Sequence, residues 1–321
     1  MPIKIKIFIS FLGLVAVSLA YLGLKNLKID SNIKPNQANI NAPLERDADW
    51  DNDGLTNREE SYWNTDPNNP DTDGDGYLDG EEVASGHDPL KPGPDDKLPA
   101  PEDLNITDKV SALMAAGYYA GDLSTDTEPE VYNKALADIS TEMILDGIQT
   151  LTPNDIDVAK IIFSSDSKSA QETYLNVVGT IIQVDLWGQL VNEPRVAGIK
   201  FSEFFTENSQ RVSDGERYFT DNTNHYQQVL DKLNSTPVPP SWLDIHKQIL
   251  SNVQTLIINH KALSQTNEDP LKSVLAMSNL ISVYQDIQPT LINLTRKIKE
   301  NNLNPPNGQL WSLVNSLTSG F

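Results

Sequence analysis

Asp49, Asp51, Asp53, Gly54 and Glu60 stand at positions 1, 3, 5, 6 and 12 of a twelve-residue window, and Asp71, Asp73, Asp75, Gly76 and Glu82 hold the same positions 22 residues later. Carboxylates on alternate residues are what a hard cation requires of a short loop. Calcium takes about six to eight oxygens in a loosely defined sphere, and a chain curling round the ion turns every second side chain toward it. Glycine at the sixth position permits the sharp turn that brings the next carbonyl inward. On this pattern Leu55 and Tyr77 give backbone oxygens at position 7, Asn57 and Asp79 occupy position 9, and Glu60 and Glu82 close the shell as bidentate ligands. Magnesium suits the pattern less, because it demands octahedral geometry with fewer protein ligands. Carboxylates crowded this closely repel one another without a cation, so ion binding here supplies folding free energy. The second loop has one more acidic ligand than the first, Asp79 against Asn57, and is expected to bind more tightly.

The repeat extends beyond the loops. Glu59-Glu60 leads to Asn64-Thr65-Asp66-Pro67, and Glu81-Glu82 leads to Gly86-His87-Asp88-Pro89. Asp66 and Asp88 are placed either to add a ligand to a neighbouring ion or to cap the short turn. With these steps, residues 49–92 resemble the bacterial thrombospondin type-3 repeat, an Asp-rich calcium loop followed by Glu-Glu and a Gly-Thr-Asp-Pro-like step. The first copy departs with Asn64 where that family often has Gly, and the second with His87 in place of Thr. The resemblance implies repeats that wrap around their calcium ions with little other core. A helix-flanked hand is disfavoured, since Pro67, Pro70, Pro89 and Pro92 stop any helix within two turns of each closing Glu.

Charge narrows the partners. The 321 residues carry a net charge of −21, and residues 45–103 hold 19 Asp or Glu against Arg46, Arg58, Lys91 and Lys97. Such density repels phosphate backbones, which argues against nucleic acid and for cations. The absence of Cys excludes disulfides, thiolate metal sites and a cysteine nucleophile. His87, His225, His246 and His260 form no close ligand pattern, and no nucleophile-elbow, zinc-protease or phosphate-loop motif is present.

The elements that would position the loops follow from the rest of the chain. Residues 7–24 run without a charge after Lys4 and Lys6, long enough for a signal peptide or a transmembrane anchor, and residues 1–24 are read as that segment. Residues 25–46 form an Asn-rich spacer, 47–92 the tandem repeats, and 93–104 a Pro-rich linker. From 105 to 321 apolar residues recur at three- and four-residue spacing, which predicts a multi-helix bundle and an all-α protein. Helices are expected from Glu130, across 157–163 after Thr152-Pro153, from Ser165 until Pro194 interrupts it, from a Ser241 N-cap through 242–264, and from Pro270 onward, with a kink at Pro289. The resulting expectation is a cell-surface or extracellular protein, anchored in the membrane through residues 7–24, whose calcium-bound stalk presents the helices to a surface protein or polymer. The alternative is an extracellular enzyme acting on cell-wall polymers through the helical part.

Overall fold

The computed structural model describes residues 48–98, 103–119, 121–124 and 127–303. The expected membrane-directed segment 1–24 and the spacer 25–46 lie outside the described residues, and no described helix is long and apolar enough to cross a membrane. The protein is mostly helical, and its β structure among the described residues is confined to two isolated bridges, His87 with Lys97 and Phe163 with Val238.

The chain divides into two compact units, Met1–Thr150 and Leu151–Phe321. The division falls beyond the Pro-rich stretch, so the first two long helices belong with the repeats. The first unit contains two short helices, α1 (Asn57–Trp63) and α2 (Asp79–Ser85), one per repeat, and two longer ones, α3 (Ile106–Tyr119) and α4 (Pro129–Leu151). Its apolar interior is small. Leu55 and Ile106 are buried, α1 packs on α3, and Lys109 of α3 reaches Glu142 and Asp146 of α4 at 2.8 Å each.

The second unit carries the main hydrophobic core. Its helices are α5 (Lys168–Thr180), a π-helical turn over Ile181–Trp187, α6 (Gly188–Glu203), α7 (Ser209–Asn234), α8 (Leu243–Ser264) and α9 (Pro270–Glu300). α8 packs along both α7 and α9. Phe219, Tyr226, Leu230 and Leu233 of α7 recur at helical spacing and are buried, as are Ile245, Ile249, Val253 and Leu256 of α8. Each such side chain contributes about 1.5–3 kcal/mol of transfer free energy, which is why these helices hold together without a ligand.

Several local expectations change. Residues 157–163 make only a 3-10 turn, Val158–Lys160, capped by Asp157. The β-branched Ile161-Ile162 leaves it extended, and the Ile162 carbonyl accepts from Val238 N at 2.7 Å, so this chain is satisfied by a bridge rather than a helix. Pro194 does not end its helix but lies within α6, which continues to Glu203 and buries Ala197 beyond the proline. The burial of Glu193 and Ala197, on either side of the exposed proline in the chain, outweighs one missing hydrogen bond. Ser241 does not cap α8. A Pro240–Trp242 turn intervenes, and the Ser241 hydroxyl donates to Asp166 Oδ1 at 2.6 Å. α7 was not foreseen, because its apolar residues are sparse among polar ones, although Asn208 capping the amides of Gln210 and Arg211 is a legible start signal.

Candidate metal centre

The two loops share the hydrogen bonds of their first and third aspartates. Asp49 Oδ1 accepts from Asn52 N at 2.7 Å and its Oδ2 from Gly54 N at 3.1 Å, while Asp71 accepts from Gly74 N at 2.8 Å and Gly76 N at 3.0 Å. The third aspartate braces the seventh position in both, Asp53 to Leu55 N at 2.7 Å and Asp75 to Tyr77 N at 3.0 Å. Gly54 and Gly76 have φ of 103° and 102°, a region that L side chains rarely adopt, so glycine at position 6 is required by the backbone itself. Leu55 is buried and Tyr77 exposed, which is compatible with a role played by their carbonyls rather than their side chains.

After each loop the chain enters its short helix at position 9. Asn57 N donates to Ala48 O at 2.8 Å and Asp79 N to Pro70 O at 3.0 Å. Thr56 and Glu59 form a capping box, which uses the first glutamate of the Glu-Glu pair and leaves Glu60 to face inward. The helices end at Asn64 and Gly86, both left-handed with φ of 64° and 82°, three residues ahead of the prolines. This explains why Asn replaces Gly at that step. Asp66 Oδ1 then accepts from Asn68 N and Asp88 Oδ1 from Leu90 N, each at 3.2 Å, so both carboxylates cap their turns. Neither belongs to a cluster of three acidic groups among the described residues.

Three such clusters bring their ligand oxygens within 4.8 Å of one another: Asp49 with Asp51 and Asp53, Asp71 with Asp73 and Asp75, and Asp53 with Glu60 and Asp79. The third joins the repeats. Spacing alone assigns Asp79 to its own loop, and the structure brings it to the carboxylates of the first as well. Thr72 fixes it there, its amide donating to Asp79 Oδ1 at 2.8 Å and its hydroxyl to Oδ2 at 2.6 Å. The next residue, Gly80, donates its amide to Asp53 Oδ2 at 3.2 Å. A Cβ at Gly80 would collide with the Asp53 carbonyl oxygen, and the first repeat, which follows no earlier loop, has Arg58 at this position.

Electrostatics mark the same place. Glu60 is 0 % exposed and Glu82 3 %, and no oxygen of either meets a hydrogen-bond donor among the described residues. Burial, and then the charges of Asp51, Asp53, Asp79 and Asp49, push the Glu60 carboxyl up to about 8. Burial, followed by Asp73, Asp75, Asp79 and Asp96, pushes Glu82 up to about 7. Burial also leads the causes that raise Asp51 and Asp73. Buried acids without donors fit a cation bound by oxygen, which would satisfy the lone pairs and reverse the repulsion at once.

Residues 49–70 and 71–92 match the family model of the bacterial TSP3 repeat. These are two bacterial TSP3 repeats. The rest of the chain has no family match, and neither a curated protein nor a solved structure matches it. The TSP3 repeats are of a calcium-binding type, and the donor set of the three clusters, all carboxylate oxygen, agrees with a hard divalent cation.

Proposed function

We propose that the TSP3 repeats bind calcium structurally, with Asp49, Asp51, Asp53, the Leu55 carbonyl, Asn57 and Glu60 serving one ion and Asp71, Asp73, Asp75, the Tyr77 carbonyl and Glu82 a second. Asp79 joins the first site from the second repeat. The observation that carries this reading is the pair of buried glutamates, Glu60 and Glu82, whose oxygens lack donors in the midst of other carboxylates. With so little apolar interior in the first unit, the ions supply much of the free energy that orders the loops. Modules of this kind outside cells bind calcium at about 10⁻⁴ to 10⁻³ M, so they stay loaded in external medium.

On this reading the chain is an extracytoplasmic surface protein directed to the membrane by residues 7–24. Its repeats set distance and stiffness, and its helical unit serves binding or adhesion. An enzyme acting on wall polymers would need an acid pair at a cleft. The buried acid–base pair of the helical unit, Glu193 and His260, is instead sealed in the core, and the 30 Å³ cavity beside Ile182, Leu186, Val253 and Leu291 is apolar and too small for a sugar.

Hydrogen exchange on the full chain, with calcium and after chelation, tests the proposal. Amides of 48–98 gain protection at millimolar calcium while those of 168–300 do not change. Equal exchange in both conditions, with no heat in a calcium titration, sinks it.

A further inference from the structure

We propose that Asp96, which lies outside both repeats, is a ligand of the second calcium ion and closes the last site in place of a third repeat. The inference rests on the reading of the repeats as calcium sites. The first site receives Asp79 from the repeat that follows it, beside the Gly80 amide on Asp53 Oδ2. The second has no repeat after it, yet its Asp75 Oδ2 is met in the same way, by the Gly93 amide at 2.8 Å.

The chain reaches this position by doubling back. Asp88 N donates to Asp96 O at 2.7 Å and Leu98 N to Gly86 O at 2.9 Å, flanking the bridge of His87 with Lys97. Asp96 is thereby buried, 3 % exposed. Its Oδ2 sits 2.8 Å from His87 Nδ1, whereas its Oδ1 is fully buried and meets no donor among the described residues. The point where a Cβ on Gly93 would stand is 3.3 Å from Asp75 Oδ2 and 3.6 Å from Asp96 Oδ1, so both carboxylates lie beside Gly93, although Asp96 belongs to none of the three clusters drawn within 4.8 Å. Glu82 feels the charge of Asp96 as it feels those of Asp73 and Asp75.

A buried carboxylate oxygen without a donor, near the equally unsatisfied oxygens of Asp73 and Glu82, is stabilised by a cation among them. The donor-free Oδ1 of Asp96 is the kind of oxygen a divalent ion of calcium's size takes. His87, the departure from the family's Thr, acquires a role as the residue that positions Asp96.

Terbium and calcium titrations of the full chain test this, with Trp50 beside Asp49 and Asp51 as the sensitiser that reports the first site. The wild type takes up two ions. Asp96→Asn keeps the shape and a contact to His87, and it weakens the second ion by about tenfold or more while leaving the Trp50-sensitised signal in place. Unchanged affinity for both ions in that variant overturns the inference, and a wild type that binds neither ion overturns the calcium reading beneath it. If Asp96→Asn loses the Trp50 signal as well, Asp96→Glu decides. Recovery of the second ion supports a carboxylate ligand, and its continued absence with the first site intact overturns it. His87→Gln, which spares the carboxylate, reduces second-site affinity less than Asp96→Asn. An equal or larger loss assigns Asp96 a structural role instead.

Discussion

Glu60 and Glu193 are almost equally hidden from water, at 0 % and 1 % exposure, yet their surroundings are opposite. Glu193, in the helical core, has a protein neighbour at each oxygen, His260 Nε2 at 2.6 Å on one, a charge contact without hydrogen-bond geometry, and the Tyr226 hydroxyl donating to the other. Glu60 has carboxylates around it and no donor at either oxygen. A unit with a large apolar core can hold a charge by arranging its own partners around it. The repeat, with little core, keeps its charges in an arrangement that only an added cation makes favourable. The same residue type, at the same depth, thus has protein partners in one unit and, on the calcium reading proposed above, a cation as its partner in the other.

The contrast can be broken most severely from the helical side. Glu193→Gln, by leaving His260 without its acid in a dry core, should lower the stability of the helical unit by about 3 kcal/mol, read in a denaturant melt, with calcium binding unaltered. Glu60→Gln should do the reverse. In a chelated sample it relieves repulsion and does not destabilise, while calcium affinity at the first site falls by about tenfold or more. If both substitutions act alike, the distinction between the units is wrong.

A smaller effect sharpens the junction of the repeats. Gly80→Ala presses a methyl group into the Asp53 backbone, with an expected loss of about 2 kcal/mol from the loaded first unit and a weaker first site, since Asp79 is displaced with it. Isothermal titration of this variant, with first-site affinity unchanged, would remove Asp79 from that site.

The mildest test uses pH and touches the helical unit alone. Burial lowers the His246 imidazole from 6.5 to about 4, with the Tyr174 hydroxyl 3.2 Å away. Between those two values the unfolded chain binds more protons than the folded one, so stability is complete above about pH 6.5 and is lost as the pH falls toward 4. Thermal melts across that window should show the decline, flattened in His246→Gln. A profile equally steep in the variant assigns the acid loss to other groups.

Much of the site was legible beforehand because the loop is a local device. Alternate carboxylates, the glycine and the closing glutamate all act within twelve residues, and the backbone at Gly54 and Gly76 obeys that pattern. The long helices α8 and α9 were legible for the similar reason that their apolar stripes repeat over many turns. α7 was harder, since its apolar residues are few among many polar ones even though Phe219, Tyr226, Leu230 and Leu233 recur at helical spacing, and 157–163 carried a helical pattern that a distant bridge to Val238 overrode.

By itself, then, the sequence determined that this chain repeats an oxygen-rich loop and that its remainder is helical, because both depend on residues near one another along the chain. Tertiary structure alone decided that Asp79, held by Thr72 of its own loop, also meets the carboxylates of the first, and that Glu193 faces His260 and Tyr226. It also set Asp96, part of a Pro-rich linker by composition, beside Gly93 and near Asp75. Each of these depends on the chain returning to a place it passed many residues earlier, and spacing along a sequence carries no record of that return.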